Sequence, residues 1–227
     1  MLNWGTIECM FEELHKENFE YVVLRNYEEI DEDNFYLSGH ADIDFLTSNG
    51  KKFAKIIKAV PRFIEDDGIH YKVMIAGTEV VIDARSVGDG YYDSRWEKNI
   101  LLNREMKDDR FFVTDSINYY YSLVYHAILQ KKALTDDYLN RLNIMAHNLG
   151  ISATNEQQHL RVLKQFMKKH NYFYTYPYDI HVPLRKELID EAMLKKQKNV
   201  IIRDIKIKAL QTGSKIKRTI LRDNRSI

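Results

Sequence analysis

The segment Asp42-Ile43-Asp44-Phe45-Leu46-Thr47 sets two carboxylates one residue apart at the head of an apolar run. Alternate side chains of a strand share a face, so Asp42 and Asp44 point the same way while Ile43 turns into the core. Two carboxylates held side by side repel each other and shift each other's pKa unless a cation lies between them. Mg²⁺ is typically held by one or two carboxylates together with substrate phosphates. The segment therefore asks for a fold that ends a buried strand in a polar opening, and it points to metal-dependent nucleotide or phosphate chemistry.

The surrounding sequence supplies the elements such an opening needs. Trp4, Ile7, Phe11 and Leu14 recur at helical spacing over residues 3–18. Tyr21-Val22-Val23-Leu24 is a short apolar run of the kind that forms a buried strand, and an acid-rich connection leads from Asn26 to Ala41. Residues 51–60 return to helical spacing through Phe53, Ile56, Ile57 and Val60, ended by Pro61. Residues 71–75 and 79–84 flank Ala76-Gly77-Thr78 and read as a β-hairpin whose second arm carries Asp83. A further strand is expected at 111–114. After Asp115, an N-cap residue type, helical patterns cover 116–132, 136–149 and 155–170, with more helix expected at 185–197 and within 200–222. The expectation is an α+β chain: an N-terminal mixed sheet flanked by helices over 1–114, then an all-helical domain over 115–227 with a basic C-terminal segment.

Asp42, Asp44 and Asp83 then form a constellation. Neighbouring strands lie about 4.8 Å apart, which lets Asp83 reach the site of the other two. Three carboxylates could hold two Mg²⁺ ions, which clamp the attacking and leaving oxygens of an in-line phosphoryl displacement. With Leu24-Arg25-Asn26 at the end of the first strand, Asp42-Ile43-Asp44 on the next and Asp83 on a later one, residues 20–100 resemble the nucleotidyltransferase superfamily with the DNA polymerase β-like fold. The resemblance is to a divergent bacterial-type branch, in which a strand ending Leu24-Arg25-Asn26-Tyr27 leads by a loop to the acid pair.

That resemblance implies Asp42 and Asp44 as ligands of both metals. It implies Asp83 as the ligand that completes the acceptor-side metal and helps deprotonate the acceptor hydroxyl. Arg25 would grip a phosphate in bidentate fashion. Asn26 and the backbone around Ser38 and Gly39 would hold the remaining phosphate oxygens. The family's Gly-Ser pair stands well before the first acid, whereas Ser38-Gly39 here is almost adjacent to it. The phosphate-binding role therefore passes to Arg25 and Asn26 or to a divergent loop. The implied activity is Mg²⁺- or Mn²⁺-dependent transfer of a nucleoside monophosphate from an NTP donor, such as ATP, to a hydroxyl or phosphate acceptor. A sugar or polyol is the favoured acceptor; protein and RNA stay open. Two alternatives share the fold: a phospho-alcohol transferase acting on surface glycans, and a catalytically inactive binding or regulatory module.

Plainer readings stand beside these. Asp42 and Asp44 could be solvated acids at a strand edge, and Asp83 a turn cap. Arg25 could pair with Glu28 or Glu29 on the surface, and Asn26 could be a turn former. Tyr91, Tyr92, Arg95 and Trp96 could stack a ligand, but packing between the two halves is the commoner use of such a cluster. His40 is a minor candidate. His159, His170 and His181 are too far apart in sequence for a metal signature. No glycine-rich lysine loop marks a P-loop kinase.

Composition excludes other classes. Lys plus Arg (34) balances Asp plus Glu (33), so the chain as a whole is not a polyanion binder. Residues 195–225 alone are strongly basic, and either contact a polyanion or a membrane surface or form a solvated tail. Cys9 is the single cysteine, which precludes an internal disulfide. No stretch approaches the roughly 18 apolar residues of a membrane span. With Glu8, Glu12 and Glu13 near the start there is no signal-peptide pattern. The expected location is cytoplasmic.

Overall fold

The computed structural model describes residues 2–28, 30, 42–63, 68–179 and 181–195. Ser38, Gly39 and His40, and the basic segment beyond Lys195, lie outside the described residues. Among the described residues eight strands form one mixed sheet: β1 (Asn3–Trp4), β2 (Tyr21–Val23), β3 (Asp42–Thr47), β4 (Val60–Pro61), β5 (His70–Ile75), β6 (Thr78–Ser86), β7 (Glu105–Lys107) and β8 (Phe111–Val113). Their order is β1-β5-β6-β3-β2-β8-β7, with β4 on the side of β5. At its centre β2 runs antiparallel to β3, β3 parallel to β6, and β6 antiparallel to β5.

The helices cover both faces. Helices α1 (Ile7–Lys16) and α2 (Gly50–Ile56) start on the side-chain caps of Thr6 and Asn49, which accept from Cys9 N and Lys52 N. Their apolar stripes bury Met10, Phe11, Leu14 and Phe53 against Tyr21, Val23, Phe45, Val80 and Ile82 of the sheet. The opposite face offers Val22, Leu24 and Leu46, which share one core with α3 (Ser94–Leu102), α4 (Ser116–Val124), α5 (Asp136–Asn148) and α6 (Glu156–Lys169). The period-2 alternation thus works on both sides: Ile43 and Phe45 face one core, Leu46 the other.

Several expectations change in detail. Trp4 belongs to a strand rather than to the first helix, and its indole Nε1 donates to Ile57 O at 2.9 Å, tying β1 to the end of α2. Val60 enters β4 instead of closing a helix. Helix α3, for which no secondary structure is expected from sequence, starts on the Asp93 cap. The helix expected over 116–132 is α-helical only to Val124 and continues as a single π-turn over Tyr125–Leu129. Over 185–197 there is no α-helix among the described residues; two 3₁₀ turns, Lys186–Leu188 and Glu191–Met193, take its place. That segment is shaped by docking, because Arg185 N donates to Leu129 O, and Tyr174 N and Lys195 N exchange bonds with Met193 O and Tyr174 O. No described helix is long and apolar enough to cross a membrane.

Candidate active site

Register brings the acids together. Asp44 of β3 lies opposite Asp83 of β6, and Asp83 lies opposite His70 of β5. Asp42, two residues before Asp44, shares its face. That face is the one turned toward α4 and α5, so a row of ionisable groups crosses three strands beneath the helical layer. Asp42 is exposed, Asp44 buried and Asp83 half-buried, giving an opening that deepens along the row.

Two arginines face these carboxylates. Arg25, 6% exposed, places Nη2 at 2.8 Å from Asp44 Oδ1 and donates from the same nitrogen to the Tyr91 hydroxyl at 2.9 Å. Arg85, 3% exposed, meets Asp179 Oδ2 through Nη1 at 2.7 Å and Asp83 Oδ2 through Nη2 at 3.3 Å. Its guanidinium lies over the Tyr91 ring, 4.6 Å from the centroid. Although burial opposes their charge, Asp44 raises Arg25, and Tyr91 followed by Asp179 and Asp83 raises Arg85, above the usual arginine range. Asp179 comes from the segment after α6 and also stands 3.3 Å from His70 Nε2. Desolvation is outweighed there by hydrogen bonds from His70 and Arg85, which hold Asp179 well below the usual carboxylate range.

The row still carries an excess of negative charge. Burial, and then the Asp44 charge, raise both Asp42 and Asp83 above the ordinary aspartate value, despite the opposing fields of Arg25 and Arg85. Behind Arg25 the Tyr91 hydroxyl lies 3.0 Å from His126 Nδ1, on the π-turn. Burial, reinforced by Arg25 and Lys131, pushes His126 well below its ordinary value, so the ring is neutral; burial also lifts Tyr91 to about 12. Irregular turns of this kind recur where a helix must aim one side chain. Tyr91, Tyr92 and Trp96 are otherwise core residues with no exposed face for a ligand.

Of the residues expected from sequence, Ser38 and Gly39 lie outside the described residues, and the others have a defined place. Asp42, Asp44 and Asp83 share one face, and Arg25 faces Asp44 rather than Glu28. Asn26, with positive φ (56°), accepts at Oδ1 from Arg141 Nη1 at 2.9 Å. His159 is a structural histidine between Tyr120 and Asn143. His70, Arg85 and Asp179 went unread from sequence. His70 and Arg85 carried a usable signal, since each falls on the acid-bearing face of the hairpin; Asp179 carried none. His126 is legible from helical spacing as a packing residue of the first helix after Asp115, but its bond to Tyr91 is not.

The donor set suits a hard divalent cation in chemistry: carboxylate oxygens on one face, with residual negative charge around Asp42 and Asp83. Among the described residues, however, no three His, Cys, Asp or Glu side chains are gathered tightly enough to hold a metal ion. A cation here would share Asp44 and Asp83 with Arg25 and Arg85. Comparison of the chain with protein-family models, curated proteins and solved structures finds no match to any of them.

Proposed function

We propose that this chain is a divalent-metal-dependent nucleotidyltransferase of the polymerase β-like kind, moving a nucleoside monophosphate from an NTP to a hydroxyl acceptor, a sugar or polyol in preference to a protein or RNA. The supporting observation is the register pairing of Asp44 with Asp83 on parallel strands, with Asp42 on the same face. The carboxylates of Asp42, Asp44 and Asp83 would hold Mg²⁺ or Mn²⁺. The ion supplies charge neutralisation for the donor phosphates and the leaving pyrophosphate.

The remaining work belongs to the chain's own groups. Arg25, steadied by Tyr91 and in turn by His126, keeps a fixed positive charge at the edge of the row where phosphate charge would develop. Asp83, on the same face as Asp42 and Asp44, is the carboxylate that would help to deprotonate an acceptor hydroxyl. Arg85 holds its carboxylate through Oδ2 at 3.3 Å, and His70 Nε2 stands 3.9 Å from Oδ1. Catalysis of this kind is mostly positioning and electrostatics.

The test is incubation with each of four labelled NTPs and Mg²⁺, with and without glycoside and alditol acceptors. Acceptor-dependent pyrophosphate release is the expected result. Release of nucleoside monophosphate from a nucleotide-linked alcohol donor, with no reaction of the NTPs, would instead assign phospho-alcohol transfer. A second reading, a binding module that retains the fold, draws on the pairing of Asp44 and Asp83 with arginines. It is the reading left standing if neither donor reacts.

A further inference from the structure

One turn along α5 from the acid row, a separate cavity of about 600 Å³ opens between the end of β2 and helices α4 and α5. Its lining includes Tyr27, Glu28, Tyr119, Arg141, Ile144 and Asn148. Arg141 links it to the acid site from two sides. Its Nη1 donates to Asn26, the residue after Arg25, and its guanidinium lies 5.9 Å from the ring of Tyr138. Tyr138 in turn lies close enough to Arg25 and Asp44 for both charges to act on its phenol. A molecule in the cavity would therefore sit beside the acid row without displacing it. The size falls within the range of about 300–1,000 Å³ usual for small-molecule sites.

The lining selects a chemical class. Among the described lining residues the one cation, Arg141, is already engaged by Asn26 and by the Tyr119 hydroxyl, each at 2.9 Å. The Tyr119 hydroxyl in turn donates a hydrogen bond to Glu28 Oε2 at 3.2 Å. Against this single engaged cation stand the carboxylates of Glu28 and Asp137, so the cavity offers a free anion no net attraction. What remains open is a surplus of acceptors, Glu28 Oε1 and the Asp137 carboxylate, with the Asn148 amide and Ser116 hydroxyl able to give and take. That surplus matches a ligand rich in O–H donors. The apolar side consists of Ile144, Met145 and Leu149, and the half-buried Tyr27 ring lies 4.8 Å from that of Tyr119. Ile144 is 62% exposed, an aliphatic residue left uncovered at a polar opening.

We propose that this cavity binds a neutral polyhydroxyl molecule, a glycoside or alditol, with its hydroxyls on Glu28, Asp137 and Asn148 and its C–H face on Tyr27 and Ile144. Within the nucleotidyltransferase reading that molecule is the acceptor; the binding itself does not depend on that reading.

The experiment is ligand-observed NMR and calorimetry on the full chain with a panel of neutral methyl glycosides and alditols, against glucuronate and glucose 1-phosphate. Ile144→Trp fills the cavity from an exposed position that leaves the core intact, and Glu28→Gln removes one carboxylate. Binding of a neutral member, weakened about tenfold or more in both variants at unchanged melting temperature, is the expected result. The proposal is overturned if no neutral member binds, if either anion binds more tightly, or if Ile144→Trp leaves binding unchanged. A parallel thermal shift with Mg²⁺ and NTP keeps the two proposals apart. Loss of that shift in Ile144→Trp would assign the cavity to the nucleotide and overturn the acceptor assignment. Its absence from the wild type, with glycoside binding intact, would remove the nucleotidyltransferase reading and leave the cavity's assignment in place.

Discussion

Asp42 shows what a single residue of this site costs the fold. Its carboxyl is raised by partial burial and by Asp44, so the folded state binds that proton more tightly than the unfolded chain does. The sign follows directly. Stability falls as pH rises from the ordinary aspartate value of 3.8 through the raised folded value, and stays reduced above it. Asp42→Asn abolishes the titration. The variant is expected to melt higher than the wild type at neutral pH, with the difference vanishing at acid pH; melting curves across pH 3–8 check this. A residue kept at a position where its neutral isostere is more stable is the pattern expected of a functional group. Arg25 is the complementary case, a buried cation whose place depends on Asp44 and Tyr91 together.

At the scale of elements, two junctions hold the site in register. Helix α2 starts at Gly50 hard against β6. A β-carbon there would stand 2.9 Å from Ala84 O, Gly68 O and Ser86 Oγ, while Gly50 N donates to that same Ser86 oxygen. Gly50→Ala must push the helix off the strand that carries Asp83, and is expected to cost about 1–3 kcal/mol, read by denaturant unfolding. The second junction is the return of the segment after α6 to the sheet through Asp179. Removing one partner of a buried ion pair costs about 3–5 kcal/mol, and Arg85 and Asp179 are both nearly fully buried. Asp179→Asn is expected to lower stability by that order and to speed hydrogen exchange in residues 174–195 more than in β3 or α1. Because Asp179 is depressed in the folded state, its contribution is complete above the ordinary aspartate value and is lost as pH falls through the folded one. The penalty of the variant should therefore shrink only in strong acid.

At the scale of the whole molecule, the parts that were legible from sequence are those with a local period. The acid–apolar alternation of 42–47 and the glycine turn of the hairpin placed β3, β5 and β6, and the apolar stripes placed α1, α5 and α6. Three kinds of feature were not legible. Helix α3 was hidden because the aromatic run of Tyr91, Tyr92 and Trp96 leading into it signals packing without a clear helical period. The segment 185–195 has helical spacing, yet hydrogen bonds to Leu129 and Tyr174 and the burial of Ile189 override it. The partners of the acids, Arg25 for Asp44 and Asp179 for Arg85, are long-range pairings with no local pattern. The three acids and Arg25 could be named from sequence; the pairing of Arg25 with Asp44 and that of Arg85 with Asp83 and Asp179 could not.

The central claim is that Asp42, Asp44 and Asp83 together serve a cation-bound nucleotide, Asp42 and Asp83 at the expense of stability. A ligand that binds the native state raises its melting temperature. The measurement is the thermal shift given by Mg²⁺ or Mn²⁺ with each of four NTPs, on wild type, Asp42→Asn and Asp83→Asn. The expected result is a clear upward shift for the wild type with at least one nucleotide, and none for Asp42→Asn although that variant starts from a higher melting temperature. No shift in the wild type with any nucleotide, or an equal shift in all three proteins, would contradict the claim.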